Sequence, residues 1–265
     1  MRLAWLTDIH LNFCSLAAYD ELIDQIEQTR PDALVVTGDI AEAHSVVPSL
    51  ERLDRSLRLP LYFVLGNHDF YFGSMAEVRR HVADLSRQRE RLVYLSRRGP
   101  IRLAPQVGLI GHDGWADARY GDYVNSAVML NDYRLIRELA PFDKASRQRA
   151  LRSLGDEAAA HVRSVLPDAL ALYRRVVFAT HVPPLLEACW HEGRLSDDEW
   201  SPHFTCKAIG DALLEIMDQH PRNQLTVLCG HTHGVGECRP RDNIEIFTGG
   251  AAYGAPQVQR VFTWA

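Results

Sequence analysis

The stretch LYFVLGNHD, residues 61–69, is an apolar run that ends in a cluster of glycine, asparagine, histidine and aspartate. The same arrangement occurs four more times, in LAWLTDIH (residues 3–10), ALVVTGD (33–39), VVFATH (176–181) and LTVLCGHTH (225–233). Short apolar runs that end in glycine or in a polar cluster are typical of buried strands. Ligands of open α/β sheets bind beyond the carboxyl ends of the strands. We therefore expect five strands to present these polar side chains at one edge of one sheet.

The polar clusters contain side chains that bind transition metals. The candidate ligands among them are five histidines, two of the aspartates and one asparagine, namely His10, His68, His181, His231, His233, Asp8, Asp39 and Asn67. A lone histidine is more often a structural residue, but imidazole with carboxylate is a ligand set for zinc, manganese, iron or nickel rather than calcium. Side chains two residues apart on an extended chain point the same way, so each Asp-x-His or His-x-His pair is expected to hold one ion. A shared aspartate could bridge to a second ion about 3.5–4 Å away. A metal-dependent hydrolase is therefore the leading interpretation.

Composition limits the class of protein and its partners. A chain of 265 residues, 46% of them apolar, can form one α/β domain or two small ones. The net charge of −5 argues against a nucleic-acid partner, because such proteins usually present a basic surface. Five cysteines without a CxxC pair favour reduced thiols in the cytoplasm. No apolar run is long enough to span a bilayer, and a signal peptide would remove Asp8 and His10 on cleavage, so we expect no membrane partner.

The spacing of apolar residues predicts alternating strands and helices in the first third of the chain. Helices are expected over residues 15–30 and 45–57, and a third begins at the capping-box pattern of Ser74 and Glu77. Further strands are expected over residues 107–110, 244–248 and 258–263. Strands that alternate with helices indicate βαβ units and a parallel sheet. This number of strands suits two sheets packed face to face with helices outside.

Residues 112–175 interrupt this alternation and are predicted to form an inserted cap. A loop over residues 112–123 should lead into a helix through Met129, Tyr133 and Ile136, and the helical stretch 146–173 should be interrupted near Pro167. The pair His112–Asp113 is either a turn or a contact near the site. The aromatic residues Trp115, Tyr120 and Tyr123 could stack on a nucleobase, although packing of the insertion onto the body is the favoured interpretation. Arg134 either contacts a second phosphate or forms a surface salt bridge, which we slightly prefer.

Taken in order, the five clusters resemble the calcineurin-like metallophosphoesterase superfamily. Its pattern is DxH, GD, GNH followed by Asp or Glu, a lone histidine and GHxH, and all five blocks are complete between Asp8 and His233. The resemblance implies a single domain over residues 1–265 with a four-layer α/β/β/α sandwich. It also implies two divalent transition-metal ions at the strand ends, with manganese favoured over iron, zinc or nickel.

The resemblance further implies a role for each residue. Asp8, His10, Asp39 and His233 would hold the first ion, Asp39 would bridge, and Asn67, His181 and His231 would complete the second site. Two divalent ions with two carboxylates and a bridging hydroxide leave a cationic site that suits phosphate oxygens, and that hydroxide would attack phosphorus. His68 would not bind metal; it would stabilise the transition state or protonate the leaving oxygen.

Two local features refine this resemblance. Protein phosphatases of the superfamily have an aspartate three residues after the bridging aspartate and then an arginine; here the position holds Glu42 and the arginine is missing. This departure argues against a protein phosphatase and leaves Glu42 and Asp69 as candidates for the carboxylate that orients His68. The stretch NDYRLIR, residues 131–137, is also similar to one found in a group of bacterial metallophosphoesterases.

The sequence thus predicts hydrolysis of a small phosphate mono- or diester. A nucleotide pyrophosphatase and an exonuclease are the alternatives among enzymes, and the acidic charge disfavours the nuclease. A non-catalytic binding scaffold on the same fold is the alternative outside enzymes, and the presence of His68 disfavours it. The sequence specifies neither an oligomeric state nor a physiological substrate.

Overall fold

Two β-sheets form the centre of the molecule. The computed structural model describes residues 1–264. The strands are β1 (Arg2–Leu6), β2 (Ala33–Thr37), β3 (Leu61–Val64), β4 (Leu92–Tyr94), β5 (Ile101–Ala104), β6 (Val107–Gly111), β7 (Arg175–Ala179), β8 (Trp190–His191), β9 (Arg194–Leu195), β10 (Gln224–Cys229), β11 (Gly236–Arg241), β12 (Ile244–Thr248) and β13 (Arg260–Thr263). All eight runs predicted as strands are strands, although the last begins at Arg260 rather than residue 258.

The strands divide between a five-stranded sheet in the order β13-β1-β2-β3-β4 and a six-stranded sheet in the order β11-β12-β10-β7-β6-β5. Pairing is parallel except at the outer strands β13, β11 and β5, and β8 and β9 form a separate small hairpin. The prediction that five site-bearing strands share one sheet is therefore wrong. Strands β1, β2 and β3 belong to the first sheet, whereas β7 and β10 belong to the second.

Helices cover the outer face of each sheet. They are α1 (Leu16–Thr29), α2 (Val46–Leu57), α3 (Met75–Gln88), α4 (Asp132–Leu135), α5 (Lys144–Leu172), α6 (Ser201–Phe204) and α7 (Lys207–Asp218). Alternation along β1 shows the layers: Ala4 and Leu6 pack with the core under α1 to α3, whereas Leu3 and Trp5 pack between the two sheets. Helices α5 and α7 share a third core with β7 and β10. The predicted four-layer α/β/β/α sandwich is confirmed.

The start of α3 confirms half of the predicted capping box. The Ser74 hydroxyl accepts the backbone N–H of Glu77, as expected for a helix N-cap. The Glu77 carboxylate does not reach back; it pairs instead with Arg137. Glu138 replaces it, because its carboxylate accepts the Ser74 hydroxyl and the N–H of Met75. A residue far along the chain therefore completes the cap.

Residues 112–175 divide into two parts with different roles. Helix α5 makes the crossover between the parallel strands β6 and β7, and its apolar face belongs to the core of the second sheet. It runs unbroken through Pro167, so the predicted interruption is wrong. Pro167 is half-buried, with Leu166 and Ala169 buried beside it, and this packing holds the helix across the missing hydrogen bond.

The first part of that segment is irregular. The helix predicted through Met129 and Ile136 is reduced to the short α4, and residues 112–131 form a loop. Only this loop remains available as a cap. No helix within residues 1–264 combines the length and apolar character needed to cross a membrane.

Candidate metal centre

The residues of the site follow the strand ends in an unusual backbone conformation. Five of them have left-handed φ angles, namely Asp8 (48°), His10 (39°), Asp39 (52°), His231 (71°) and His233 (57°). This conformation costs a non-glycine residue about 1–3 kcal/mol and persists only where the surroundings impose it, most often at functional sites. The assumption that Asp-x-His and His-x-His lie on extended chain is therefore wrong, since these residues form turns beyond the strands.

One group of ligand atoms comes from Asp8, His10, Asp39 and His233. One atom of each residue lies within 4.8 Å of an atom of every other, and three of the four residues are fully buried. The Nε2 atoms of His10 and His233 are 3.2 Å apart, and Nε2 of His233 is 3.5 Å from Oδ1 of Asp8. Two imidazoles and two carboxylates at this spacing form a ligand set for a transition metal.

A second group lies directly beside the first. Oδ1 of Asn67 is 3.0 Å from Nε2 of His181 and 2.9 Å from Nδ1 of His231. Those two ring nitrogens are 3.2 Å apart, and Nε2 of His181 is 3.4 Å from Oδ1 of Asp39. Four potential ligand atoms thus converge here as well.

Hydrogen bonds behind the second group indicate that its converging atoms carry lone pairs. Nδ1 of His181 contacts the carbonyl of Thr37, and Nε2 of His231 contacts the carbonyl of His203, so these nitrogens must carry the protons. Nε2 of His181 and Nδ1 of His231 are then unprotonated and face the carbonyl oxygen of Asn67. Lone pairs this close repel one another unless a cation lies between them. The donor set therefore fits a divalent metal ion.

Asp39 connects the two groups. Its Oδ2 atom is 3.8 Å from Nε2 of His10, whereas its Oδ1 atom faces His181. This is the position that a bridging carboxylate requires. The two histidines of the last cluster, in contrast, separate: His233 belongs to the first group and His231 to the second. The expectation that His231 and His233 together hold one ion is wrong, because the left-handed turns aim their rings apart.

Glycines let the loops approach closely enough to form these groups. A Cβ atom on Gly230 would lie 2.0 Å from Oδ2 of Asp8, and one on Gly66 would lie 2.2 Å from Oδ1 of Asp39. Any other residue at these two positions would displace a ligand carboxylate. The glycines in the GD, GNHD and GHTH clusters therefore serve the geometry of the site.

Burial sets the protonation of the site. It lowers the pKa of both His10 and His231 to about 3, so both rings are neutral near pH 7, as metal binding requires. Burial also raises the pKa of Asp39 well above its ordinary value, and the nearby charge of Asp8 adds to the rise. For Asp8, burial acts in the same direction, but the hydrogen bond to His233 and the electrostatic interactions with His181, His233 and His10 together outweigh it, and the pKa falls. Two buried carboxylates that interact in this way need a positive partner.

Neither of the two carboxylates proposed to orient His68, those of Asp69 and Glu42, forms a hydrogen bond with its ring in residues 1–264. Asp69 accepts the backbone N–H groups of Ile40, Ala41 and Gly66, so it joins the two loops that carry Asp39 and Asn67. The side chain of Glu42 makes no hydrogen bond or ion pair within residues 1–264. In the same described part of the chain, Nδ1 of His68 is buried without a partner.

His68 lies beside the two groups rather than in them. Its backbone N–H donates to Oδ1 of Asp39 at 2.8 Å, and its ring stacks on Tyr71 with centroids 4.2 Å apart. Nε2 of His68 is 3.5 Å from the hydroxyl of Tyr253. The backbone contact and the stacking thus fix the ring, and they leave Nε2 on the cleft side.

A cleft of about 210 Å³ opens over the second group and His68. Sequence reasoning missed three of its wall residues, Tyr253, Asp132 and Phe204. Tyr253 is 55% exposed, with its ring 4.6 Å from that of His10, and it lies in the glycine-rich turn 249–254 that follows β12. Its position after a strand was the one available signal. Asp132 lies in the NDYRLIR stretch, which the sequence analysis noted without giving this residue a role, and Phe204 follows none of the predicted strands.

The aromatic residues proposed for substrate stacking are mostly buried. Trp115 and Tyr123 are each 4% exposed, and Trp115 packs against Phe70. The preferred interpretation, packing of the loop onto the body, is confirmed for both, and the alternative that Trp115 or Tyr123 stacks on a nucleobase is wrong. Arg134 is exposed, and Asp113 is a buried acceptor for the N–H of Leu65.

Comparisons with known proteins agree with this geometry. A phosphopantetheinyl hydrolase from Mycobacterium tuberculosis has a similar structure, with a TM-score of 0.69 and 16% identity over 97% of this chain and 94% of that chain. The structure of a dimetal phosphatase from Danio rerio is also similar, with a TM-score of 0.57 and 17% identity over 94% of this chain and 87% of that chain. Identities this low show a shared fold only. Comparison with curated protein sequences gives no significant match. The pattern of the family described as calcineurin-like phosphoesterase matches residues 1–235, which is most of the sequence. The chain therefore belongs to the calcineurin-like phosphoesterase family.

Proposed function

We propose that this protein is a dinuclear metal-dependent phosphoesterase that hydrolyses a small phosphate mono- or diester. The observation that carries the proposal is the pair of adjacent ligand groups that share Asp39. The first ion would be held by Asp8, His10, Asp39 and His233, and the second by Asp39, Asn67, His181 and His231. When bound, two divalent ions supply positive charge for phosphate oxygens and a nucleophile at neutral pH. Manganese is the proposed metal.

His68 is proposed to act on the leaving group. It touches the cleft without belonging to either ligand group, and stacking on Tyr71 restricts its ring. An imidazole in this position can donate a hydrogen bond or a proton to the oxygen that departs from phosphorus. Tyr253, whose hydroxyl is 3.5 Å from Nε2 of His68, would contact the same part of the substrate.

The chain is proposed to act as one domain over residues 1–265, with the loop of residues 112–131 as its cap. Leu130 and Asn131, at the end of this loop, line the cleft. The small size of the cleft supports a small ester as the substrate. The net charge of −5 disfavours a nuclease, because a net negative charge repels a polyanion. A cytoplasmic location belongs to the same proposal.

A catalytic role is favoured over a binding scaffold. The convergence of the seven proposed ligand residues beside His68 supports this, as do the strained turns that carry several of them. A scaffold would gain nothing from this strain, because it needs neither metal nor a reactive histidine. A nucleotide pyrophosphatase remains the second candidate among enzymes, since its chemistry requires the same ligand groups.

The test is to measure metal content and activity on matched variants. Protein stripped of metal and reloaded with Mn²⁺ should bind close to two ions per chain and hydrolyse p-nitrophenyl phosphate or its diester. Asp39→Asn should lose metal and activity together, because it removes the shared carboxylate. Asp54→Asn is the matched control, since Asp54, which lies on α2, is also buried but pairs with Arg91 away from the site. A folded wild-type protein that binds no metal would contradict the proposal.

A substrate screen then separates the candidates among enzymes. It should include monoesters, diesters, nucleoside diphosphates and a phosphopantetheinyl compound, the last because one similarly folded protein bears that name. A clear preference for nucleoside diphosphates would favour the pyrophosphatase.

A further inference from the structure

The segment Asn131–Tyr133 begins the stretch NDYRLIR and lies behind the second ligand group. Asp132 is 4% exposed, and its Oδ1 atom is 2.8 Å from Nδ2 of Asn67. The same oxygen accepts the hydroxyl of Tyr71 at 2.7 Å. Asp132 thus contacts a proposed metal ligand although its own oxygens are not among the converging atoms of that group.

The contact with Asp132 decides which end of the Asn67 amide enters the site. The carboxylate of Asp132 accepts hydrogen bonds, so it selects the NH₂ end of the amide. The carbonyl oxygen of Asn67 must then point towards His181 and His231, as it does. A flipped amide would direct two N–H bonds into the space where the lone pairs converge, and no metal could bind there.

Tyr133, the next residue, acts on the other side of the same group. Its hydroxyl is 2.5 Å from Nδ1 of His203. On the opposite edge of that ring, Nε2 is 3.0 Å from Oγ of Ser126, whose proton goes to the carbonyl of Glu199. Nε2 of His203 is therefore the donor, and Nδ1 accepts from Tyr133. Both edges of the His203 ring are fixed.

The fixed residue in turn holds a proposed ligand. The backbone carbonyl of His203 accepts Nε2–H of His231 at 3.2 Å. This bond leaves Nδ1 of His231 unprotonated and turned towards Asn67. Tyr133 therefore reaches His231 through His203, just as Asp132 reaches Asn67 directly.

We propose that Asp132 and Tyr133 are positioning residues for the second metal site. Asp132 sets the orientation of the Asn67 amide, and Tyr133 holds the carbonyl that sets the tautomer of His231. The inference rests on the proposed function, because it requires that the second group binds an ion. It assigns a physical role to the middle of the NDYRLIR stretch, which lies outside the ligand set.

The test is a titration of the metal-free protein with Co²⁺, followed by calorimetry and by the visible absorption of the bound ion. Asp132→Leu should weaken one of two equivalents by about 10–100-fold, the usual effect of losing a residue that orients a ligand, and leave the other unchanged. Asp132→Asn keeps an acceptor oxygen for the Asn67 amide and should restore most of the affinity. If Asp132 acted through its charge, this variant would be as weak as Asp132→Leu.

Tyr133→Phe provides a second route, because it removes one hydroxyl and preserves the shape of the side chain. It should weaken the same equivalent several-fold. Tyr123→Phe is the matched control: its ring also packs on His203, with centroids 5.3 Å apart, but its hydroxyl bonds elsewhere. The control should bind both equivalents like the wild type.

The outcomes separate the inference from the function on which it rests. A wild-type protein that binds fewer than two equivalents overturns the proposed function. A wild-type protein with two equivalents, combined with unchanged affinities in Asp132→Leu and Tyr133→Phe, overturns the inference alone. Equal weakening of both equivalents would also overturn it, because that result indicates general damage to the fold.

Discussion

Replacing Asp69 with asparagine should loosen the two loops that carry Asp39 and Asn67. Oδ1 of Asp69 accepts the N–H groups of Ile40 and Ala41 at 3.0 and 2.8 Å, and Oδ2 accepts that of Gly66 at 2.9 Å. The side chain is completely buried, so water cannot replace any of these bonds. Asp69 thus joins the end of β2 to the end of β3.

The size of the effect follows from these three bonds. Asparagine has one acceptor oxygen, which can keep the bonds to Ile40 and Ala41, but its NH₂ group would then face the N–H of Gly66. A hydrogen bond to a charged group contributes about 1.5–3 kcal/mol, and a buried donor without a partner costs about 1–3 kcal/mol. Because these terms overlap, the free energy of unfolding should fall by about 2–4 kcal/mol.

Urea unfolding of the metal-free protein measures this loss, and a Mn²⁺ titration should show weaker binding at both sites. Glu42→Gln is the control, since that carboxylate has no partner within residues 1–264 and its removal should change neither quantity. If Asp69→Asn kept its stability within about 0.5 kcal/mol and lost only kcat, Asp69 would instead orient His68, and the reasoning from backbone bonds would be refuted.

Three further predictions concern His68, the buried His112 and the loop of residues 112–131. His68→Ala should lower kcat by about 10²–10⁴-fold while metal analysis still finds two ions. Burial lowers the pKa of His112 to about 3, so the unfolded chain takes up a proton below about pH 6.5 and the folded chain does not. The contribution of neutral His112 to the free energy of unfolding should therefore be fully present above about pH 6.5 and be lost as the pH falls. Between pH 7 and pH 5 this loss should amount to about 2 kcal/mol. Urea unfolding at several pH values should find a smaller pH dependence in His112→Asn. Trp115→Ala should cost about 3–5 kcal/mol of stability by opening a cavity, whereas Arg134→Ala should leave the urea midpoint unchanged.

The core strands could be predicted because burial on both faces leaves a continuous apolar run in the sequence. Strand β11 escaped prediction because it is a half-exposed edge strand that contains Pro240. The number of strands suggested two sheets, but which strands belong to which sheet was beyond the sequence, since a buried strand has the same pattern in either. The cap of α3 was predicted at Ser74 but not at Glu138, because the second residue reaches the helix only through the folded chain.

For the site, too, the sequence indicated residues that belong to local patterns and missed features that depend on the folded backbone. Residue type and position after the strands indicated the candidate ligands, because few other roles demand histidine and aspartate at five strand ends. The spacing of His231 and His233 suggested one shared ion, because residue type does not specify the left-handed turns that separate the two rings; only the family resemblance assigned them to different ions. Contacts such as that between Asp132 and Asn67 join positions far apart in the sequence, so no local pattern reveals them.

The loop after β3 shows why the site and the fold depend on each other. Its four consecutive residues each donate a hydrogen bond to a different buried aspartate: Leu65 to Asp113, Gly66 to Asp69, Asn67 to Asp132 and His68 to Asp39.

Burying four carboxylates around one loop is costly unless each finds positive charge or N–H donors. Asp113 forms an ion pair with Arg79, and Asp69 accepts three backbone N–H groups. Asp132 accepts hydrogen bonds from Tyr71 and Asn67. Among residues 1–264, the Asp39 carboxylate accepts a hydrogen bond only from the N–H of His68, and neutral imidazoles and a second carboxylate lie nearby. It is the one member of the set whose compensation is incomplete, and it is also the one shared by both ligand groups. A divalent ion on each side of Asp39 would complete that compensation, so metal binding and ordering of this loop should stabilise each other.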